Sequence, residues 1–214
     1  MITEKEYRDK ISLWKNDVLA EDELNSELCD SLADKILKKE NYILSLGPAN
    51  YPQTPPNTIT SRHEYYNLLD FDWDELKEVE AKIVENASKI LGGSSFYVKM
   101  WANIFRNGEC ITKHIHHPEP VRETDEFKNN IFKTFCGHLF LRNDTDSDTI
   151  YHFDSGTKNI KNIKGDFHFF CCVVPHEVLP YVGNERIGLA FDVYSNDFFE
   201  GIGIPTPFGL KLIK

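Results

Sequence analysis

The chain has 214 residues, 13% of them aromatic, and a formal charge of -10, enough apolar mass for one folded domain with a real core. The acidic balance argues against a nucleic-acid partner, whose phosphates need a basic face. The opening MITEKEYRDK is too polar for a signal peptide, no apolar run approaches a membrane span, and the five cysteines show no C-x-x-C spacing; these features predict a cytoplasmic protein with reduced thiols and no membrane partner.

Within residues 20–40, Leu24, Leu28, Leu32 and Ile36 recur every fourth position, predicting an amphipathic helix of about five turns. The segment 46–62 holds Pro48, Pro52, Pro55 and Pro56, which exclude regular structure. It reads equally as a surface connection or as a lid over a site. A second helix is predicted over 72–91, with acidic residues in its first turn and a stop at Gly92-Gly93. Its apolar face, Leu76, Val79, Ile83 and Ala87, should lie on a sheet.

From Ser94 the hydrophobic period changes to two. Strands are predicted at 95–105, 110–117, 129–142, 149–153, 159–163, 165–174, 176–182 and 186–194. The expected fold is mainly β with flanking helices (α+β), a closed or double-sheet jelly roll preceded by N-terminal helices. A single domain over 1–214 follows, with a helical part and loop at 1–93, a β core at 94–195 and a C-terminal strap at 196–214.

Seven of the eight histidines fall between His114 and His176. On a strand, His114 and His116 project from one face while Ile115 projects from the other. Two imidazoles on one face are two-thirds of a facial metal site. His176, at the start of the strand after GDFHFFCCVV, is the best candidate for the third ligand. Arg186 lies ten residues further on. The two segments read as a hairpin around Gly183-Asn184, in which a loop of odd length puts both side chains on one face. In the last strand Ile187, Leu189, Phe191 and Val193 form an apolar face, suited to lie under the second helix. The other face is Arg186, Gly188, Ala190 and Asp192, suited to line a cavity. A guanidinium among small residues requires an anion, either a ligand or a salt bridge to Asp192 or Glu185.

Taken in order, WANIFRNGECITKHIHHPEP, CGHLFLRNDTD and GDFHFFCCVVPHEVLPYVGNERIGLAFDV resemble the Fe(II)- and 2-oxoglutarate-dependent oxygenases, over residues 100–193. The nearest pattern is that of short members with W-x-N, H-x-H, a small-Gly strand, G-x(10)-H and then Arg. The resemblance implies a double-stranded β-helix core in which His114, His116 and His176 hold Fe(II). Arg186 would bind the distal carboxylate of 2-oxoglutarate. Asn103, on the strand before the Asn107-Gly108 turn, reads equally as a cavity residue touching substrate or cosubstrate and as an edge-strand polar residue. The implied reaction consumes O2 and 2-oxoglutarate, releases succinate and CO2, and hydroxylates a small-molecule or peptidyl substrate.

The chain departs from the wider superfamily in three ways. His116 stands where a carboxylate is usual, with His117 and Glu119 as nearby substitutes. A literal H-x-D occurs at His152-Phe153-Asp154, 22 residues before His176, a spacing too short for the strands that should intervene. The superfamily's R-x-S is Arg186-Ile187-Gly188 here, so a hydroxyl beside the arginine must come from elsewhere. His138 and His168 read as core histidines. The rival readings are a cupin-type three-histidine metalloenzyme without 2-oxoglutarate, to which GECITKHIH conforms, and a non-catalytic jelly-roll module. Substrate selectivity should lie in the loop at 51–62 and the charged insert at 117–130.

Overall fold

The β-pattern of the chain becomes two antiparallel sheets in the computed structural model, which describes residues 3–116, 124–203, 205–207 and 209–214. The strands are β1 (Ala20–Glu23), β2 (Phe96–Phe105), β3 (Ile111–His114), β4 (Thr134–Asn143), β5 (Asp148–Phe153), β6 (Gly156–Lys161), β7 (Asp166–Phe170), β8 (His176–Val178), β9 (Arg186–Ser195) and β10 (Lys211–Ile213). The larger sheet runs β1-β7-β4-β9-β2-β10 and the smaller β3-β8-β5-β6. They face each other: Tyr151 and Phe153 of the smaller sheet share one apolar cluster with Cys136, Phe170 and Tyr194 of the larger. At the other end of the sandwich Phe105 meets Ile111 and Val178. This is the jelly roll expected from the strand pattern.

Helices α1 (Glu4–Trp14), α2 (Ser26–Ser45) and α3 (Asp74–Leu91) precede the core, and the short helices α4 (Asp125–Asn130) and α5 (Phe198–Gly201) lie within or after it. The helices α2 and α3 cover the outer face of the larger sheet. Leu76, Val79, Ile83 and Ala87 join Ile187, Leu189, Phe191 and Val193 in the main cluster, with Leu32 and Ile36 of α2. The two apolar faces read from the sequence thus meet each other.

Several boundaries differ from the expectation. Ala20–Glu23 is not the start of a helix but an edge strand, paired from Ala20↔Phe169 to Glu23↔Asp166. The helix begins only after Asn25, whose side chain accepts from the backbone N–H of Glu27 and Leu28. The unpaired edge of β7 outweighs the local four-residue periodicity. The segment 129–133 is helical rather than extended. Strand β3 ends at His114, with a register shift against β8. His117 and Glu119 lie outside the described residues.

The largest difference concerns residues 176–186. Strands β8 and β9 are not a hairpin: β8 belongs to the smaller sheet and β9 to the larger. The chain between them crosses from one sheet to the other, so the loop-parity rule does not apply. His176 and Arg186 share the interior because the two sheets turn their inner faces to each other.

Gly137, on β4, is required by close packing. A Cβ there would overlap the edge of the Phe191 ring at Cζ and Cε2 and lie 3.0 Å from the His168 carbonyl oxygen. Gly137→Ala should therefore lower stability by about 1–3 kcal/mol through overpacking, read as a lower urea midpoint at unchanged slope; an unaltered midpoint would contradict this packing.

Candidate metal centre

His114 closes β3 and pairs with His176 across the smaller sheet. His116 follows two residues later, beyond the strand, and its backbone N–H donates to the Cys172 carbonyl at 3.2 Å. That bond, rather than strand alternation, keeps it beside His114; the two rings are 5.7 Å apart and nearly parallel. One ring nitrogen each of His114, His116 and His176 lies within 4.8 Å of the others. The structure therefore brings the three predicted histidines together.

Their outward partners fix their tautomers. His114 Nδ1 lies 2.9 Å from the Thr112 carbonyl and His176 Nδ1 3.1 Å from the Val174 carbonyl. A carbonyl can only accept, so both Nδ1 atoms carry hydrogen and both Nε2 atoms offer lone pairs. His116 Nδ1 is bonded to the Asp192 carboxylate. Metal-binding histidines are oriented by such partners. Burial, followed by the neighbouring His116, holds the pKa of His114 down at about 3. Burial and the neighbouring histidines hold His176 well below its ordinary value.

His116 Nε2 and His176 Nε2 stand 3.3 Å apart. Two acceptor atoms at that distance repel unless a cation or a proton lies between them. Nitrogens about 2.1 Å from one ion and roughly 90–109° apart around it are about 3.0–3.4 Å from each other. The donor set and its spacing fit a divalent metal ion. A second group, His116, Cys136 and Asp192, is equally close. There the Cys136 thiol is pushed well above its usual pKa by burial and by Asp192, the wrong direction for a thiolate ligand.

Arg186 is 5% exposed, at the far end of the same chamber. Its Nη2 donates to Thr149 Oγ1 at 3.1 Å, while Nη1 has no hydrogen-bond partner among the described residues. The guanidinium lies over the rings of Phe105 and Phe140. The salt-bridge alternatives are not realised: Glu185 lies 3.5 Å from Arg142 and Asp192 is bonded to His116. Burial lowers the Arg186 pKa to about 10, still charged at neutral pH. Thr149 puts a hydroxyl beside the guanidinium, but its hydrogen is donated to Asn162 Oδ1 at 2.9 Å, so it receives from Arg186 and does not replace the donor of the R-x-S pattern. Position 188 has little room for a side chain, since a Cβ there would approach the Leu139 carbonyl oxygen at 3.1 Å.

Asn103 lines the chamber, and its Oδ1 accepts from the Thr60 hydroxyl at 2.9 Å, leaving the Nδ2 amide as its donor. His138 also lines it, with Nδ1 3.0 Å from the Tyr151 hydroxyl. The proline-rich loop covers the site: Tyr51 packs against His63 and His114, and Gln53 accepts from Thr112 N–H at 2.8 Å. His152 and Asp154 lie away from it, paired with Glu177 and Lys15. The contributions of Tyr51, Thr149 and Asp192 as an anchor for His116 escaped the sequence analysis. The inward alternation of Thr149, Tyr151 and Phe153 on β5 was the available signal for Thr149.

No protein-family model matches the chain, and no curated protein resembles it in sequence. Solved structures share its fold. AviO1 from Streptomyces viridochromogenes superposes with a TM-score of 0.61 at 12% identity, over 97% of this chain and 99% of that one. HygX from Streptomyces hygroscopicus, with nickel and 2-oxoglutarate bound, gives 0.59 at 10% identity, over 88% and 87%. A Pseudomonas putida prolyl-4-hydroxylase gives 0.52 at 17% identity, over 83% and 92%. These likenesses establish the fold. No helix among the described residues is long and apolar enough to cross a membrane, and all five cysteines are free.

His168 is a buried histidine outside the metal group, 3% exposed, with no partner for Nδ1 among the described residues. Burial lowers its pKa to about 4. The folded state thus holds this ring neutral while the unfolded chain protonates near pH 6.5. Its stabilisation is complete above pH 6.5 and is lost as the pH falls from there towards 4. Between those values His168→Leu should lose about 3 kcal/mol less stability than the wild type, measured by urea unfolding across pH; parallel curves would refute a neutral, buried His168.

Proposed function

We propose that the chain is a non-haem Fe(II)- and 2-oxoglutarate-dependent dioxygenase that hydroxylates a small-molecule or peptidyl substrate. The carrying observation is Arg186, a buried guanidinium with one unsatisfied N–H group, in the same chamber as three converging histidines. A metal site alone has no use for that cation; a dicarboxylate that also reaches the metal does. The bound nickel and 2-oxoglutarate of HygX, and the description of a further fold relative, ThoJ, as a non-haem monooxygenase, support the same reading.

In this proposal His114, His116 and His176 hold the iron through Nε2. Three neutral imidazoles bring no negative charge, but Asp192, through the hydrogen on His116 Nδ1, places a carboxylate one bond further out. Arg186 takes the distal carboxylate of 2-oxoglutarate through paired N–H donors, with the Thr149 hydroxyl beside it. Asn103 Nδ2 donates to whichever ligand lies along the β2 wall. Phe105 and Phe140 keep water from the guanidinium end of the chamber. Its free volume is about 30 Å³, room for about two waters, so a five-carbon diacid enters only as the surrounding side chains move. When bound, iron and the keto acid supply oxidative decarboxylation: O2, 2-oxoglutarate and a substrate C–H bond give succinate, CO2 and a C–OH group.

The test is an anaerobic titration of purified protein with Fe(II) and then 2-oxoglutarate, followed by visible absorption. A charge-transfer band that requires both additions is expected. Iron binding without the band at any 2-oxoglutarate concentration would favour the cupin reading, and failure to bind iron would leave a non-catalytic module. His114→Ala and His176→Ala should each abolish stoichiometric Fe(II) binding, read by calorimetry. Arg186→Ala should raise the 2-oxoglutarate concentration needed for the band about a hundredfold or more while iron affinity holds; equal loss of both would make Arg186 structural. Asp192→Asn should weaken Fe(II) binding about 10–100-fold.

A further inference from the structure

The inner face of β2 carries Lys99, Trp101, Asn103 and Phe105, opposite Asp192, Ala190, Gly188 and Arg186 of β9. This strip has a cation towards each end. Arg186 lies in the metal chamber; Lys99 lies about 20 Å further along the strand, six residues at about 3.3 Å each. Lys99 lines a second cavity, of about 350 Å³, walled by Tyr51, His63, Trp101 and Tyr194 and meeting the first at Tyr51, Trp101 and His116.

The proposed reaction has no use for Lys99 in holding metal or cosubstrate. Its side chain is half-buried, and among the described residues no carboxylate lies within ion-pair distance of Nζ. Two acids, Glu64 and Asp192, line the same cavity without pairing with Nζ, and Asp70 acts on it from further off. Asp192 is bonded to His116 and Cys136, and Glu64 is bonded to Asn50. With both lining acids engaged by other side chains, the partly desolvated ammonium, beside Tyr51, Trp101 and Tyr194, is the group in this cavity left to receive an anion from outside the chain.

We propose that this outer cavity binds the carboxylate of an organic acid, anchored by Lys99, with Tyr51, Trp101 and Tyr194 against its apolar body. Calling that acid the substrate rests on the oxygenase reading; the anion site itself does not. Because the cavity borders His116, the body of the acid extends towards the metal centre while its charged end is held away from it.

The experiment uses protein loaded with Ni(II) and saturating 2-oxoglutarate, so that Arg186 is occupied. The probes are aryl and alkyl carboxylic acids of about 8–14 heavy atoms, each paired with its primary amide, and short peptides with free or amidated C-termini. Binding is followed by calorimetry. At least one acid should bind roughly 10–100-fold more tightly than its amide. Lys99→Met should erase that difference while leaving the Fe(II)–2-oxoglutarate absorption band unchanged. Preference for the free peptides over the small acids would place the carboxylate on a peptidyl substrate. No binding, equal binding of acids and amides, or an acid preference that survives Lys99→Met would overturn the proposal. So would an acid preference that disappears on adding 2-oxoglutarate, which would place the probe at Arg186. Lys99-dependent acid binding in a protein that never forms the band would refute the oxygenase reading and leave the anion site standing.

Discussion

A guanidinium sealed between two sheets, with no counter-charge among the described residues, is the constraint around which this interior is arranged. Arg186 cannot escape the cost by losing its proton, because its pKa stays near 10. The fold offers it one hydroxyl and two aromatic faces, which offset part of the desolvation. The remainder must come from the rest of the core, and the apolar cluster beneath α2 and α3 is large and continuous. The same strand that buries Ile187, Leu189, Phe191 and Val193 on one side holds Arg186 on the other. Apolar core and buried charge are thus alternating positions of one strand.

The histidines obey a related rule. Each Nδ1 is held by an oxygen of the chain, and two of those oxygens are backbone carbonyls two residues upstream. Such partners hold a ring more firmly than surface side chains would, because the backbone of a packed sandwich does not rotate away. Convergence of the three Nε2 atoms is therefore a property of the scaffold. Trp101, Tyr51 and Phe170 pack around the rings and restrict their rotation.

Much of this was legible in the chain. The alternation of residues 186–194 separated core face from cavity face, and helix 72–91 was placed against the correct side. The histidines and Arg186 were named as one site. What local pattern could not show was the pairing of distant strands. Residues 20–23 look helical until the edge of β7 is present to receive them. Residues 176–186 look like a hairpin until β8 and β9 take different partners. Asp192 was placed on the cavity face, yet its bond to His116 spans 76 positions. Thr149 and Tyr51 reach the site from segments that carry no motif.

The strand order also governs when the centre can come into being. Strand β2 has β9 as its partner, pairing Asn103 with Gly188, and β9 in turn separates β2 from β4. Until the last long strand is laid down, the wall carrying Asn103 and Lys99 lacks its neighbour and the floor carrying Arg186 does not exist. Closing so long a loop is entropically costly and slow compared with forming α2 or α3. The helices can form early on a nascent chain, whereas the histidines converge only when nearly all of it is available. Completion of the three-histidine group is in that sense the closing event of folding, and a chain arrested before β9 would be a helical layer with no interior to guard.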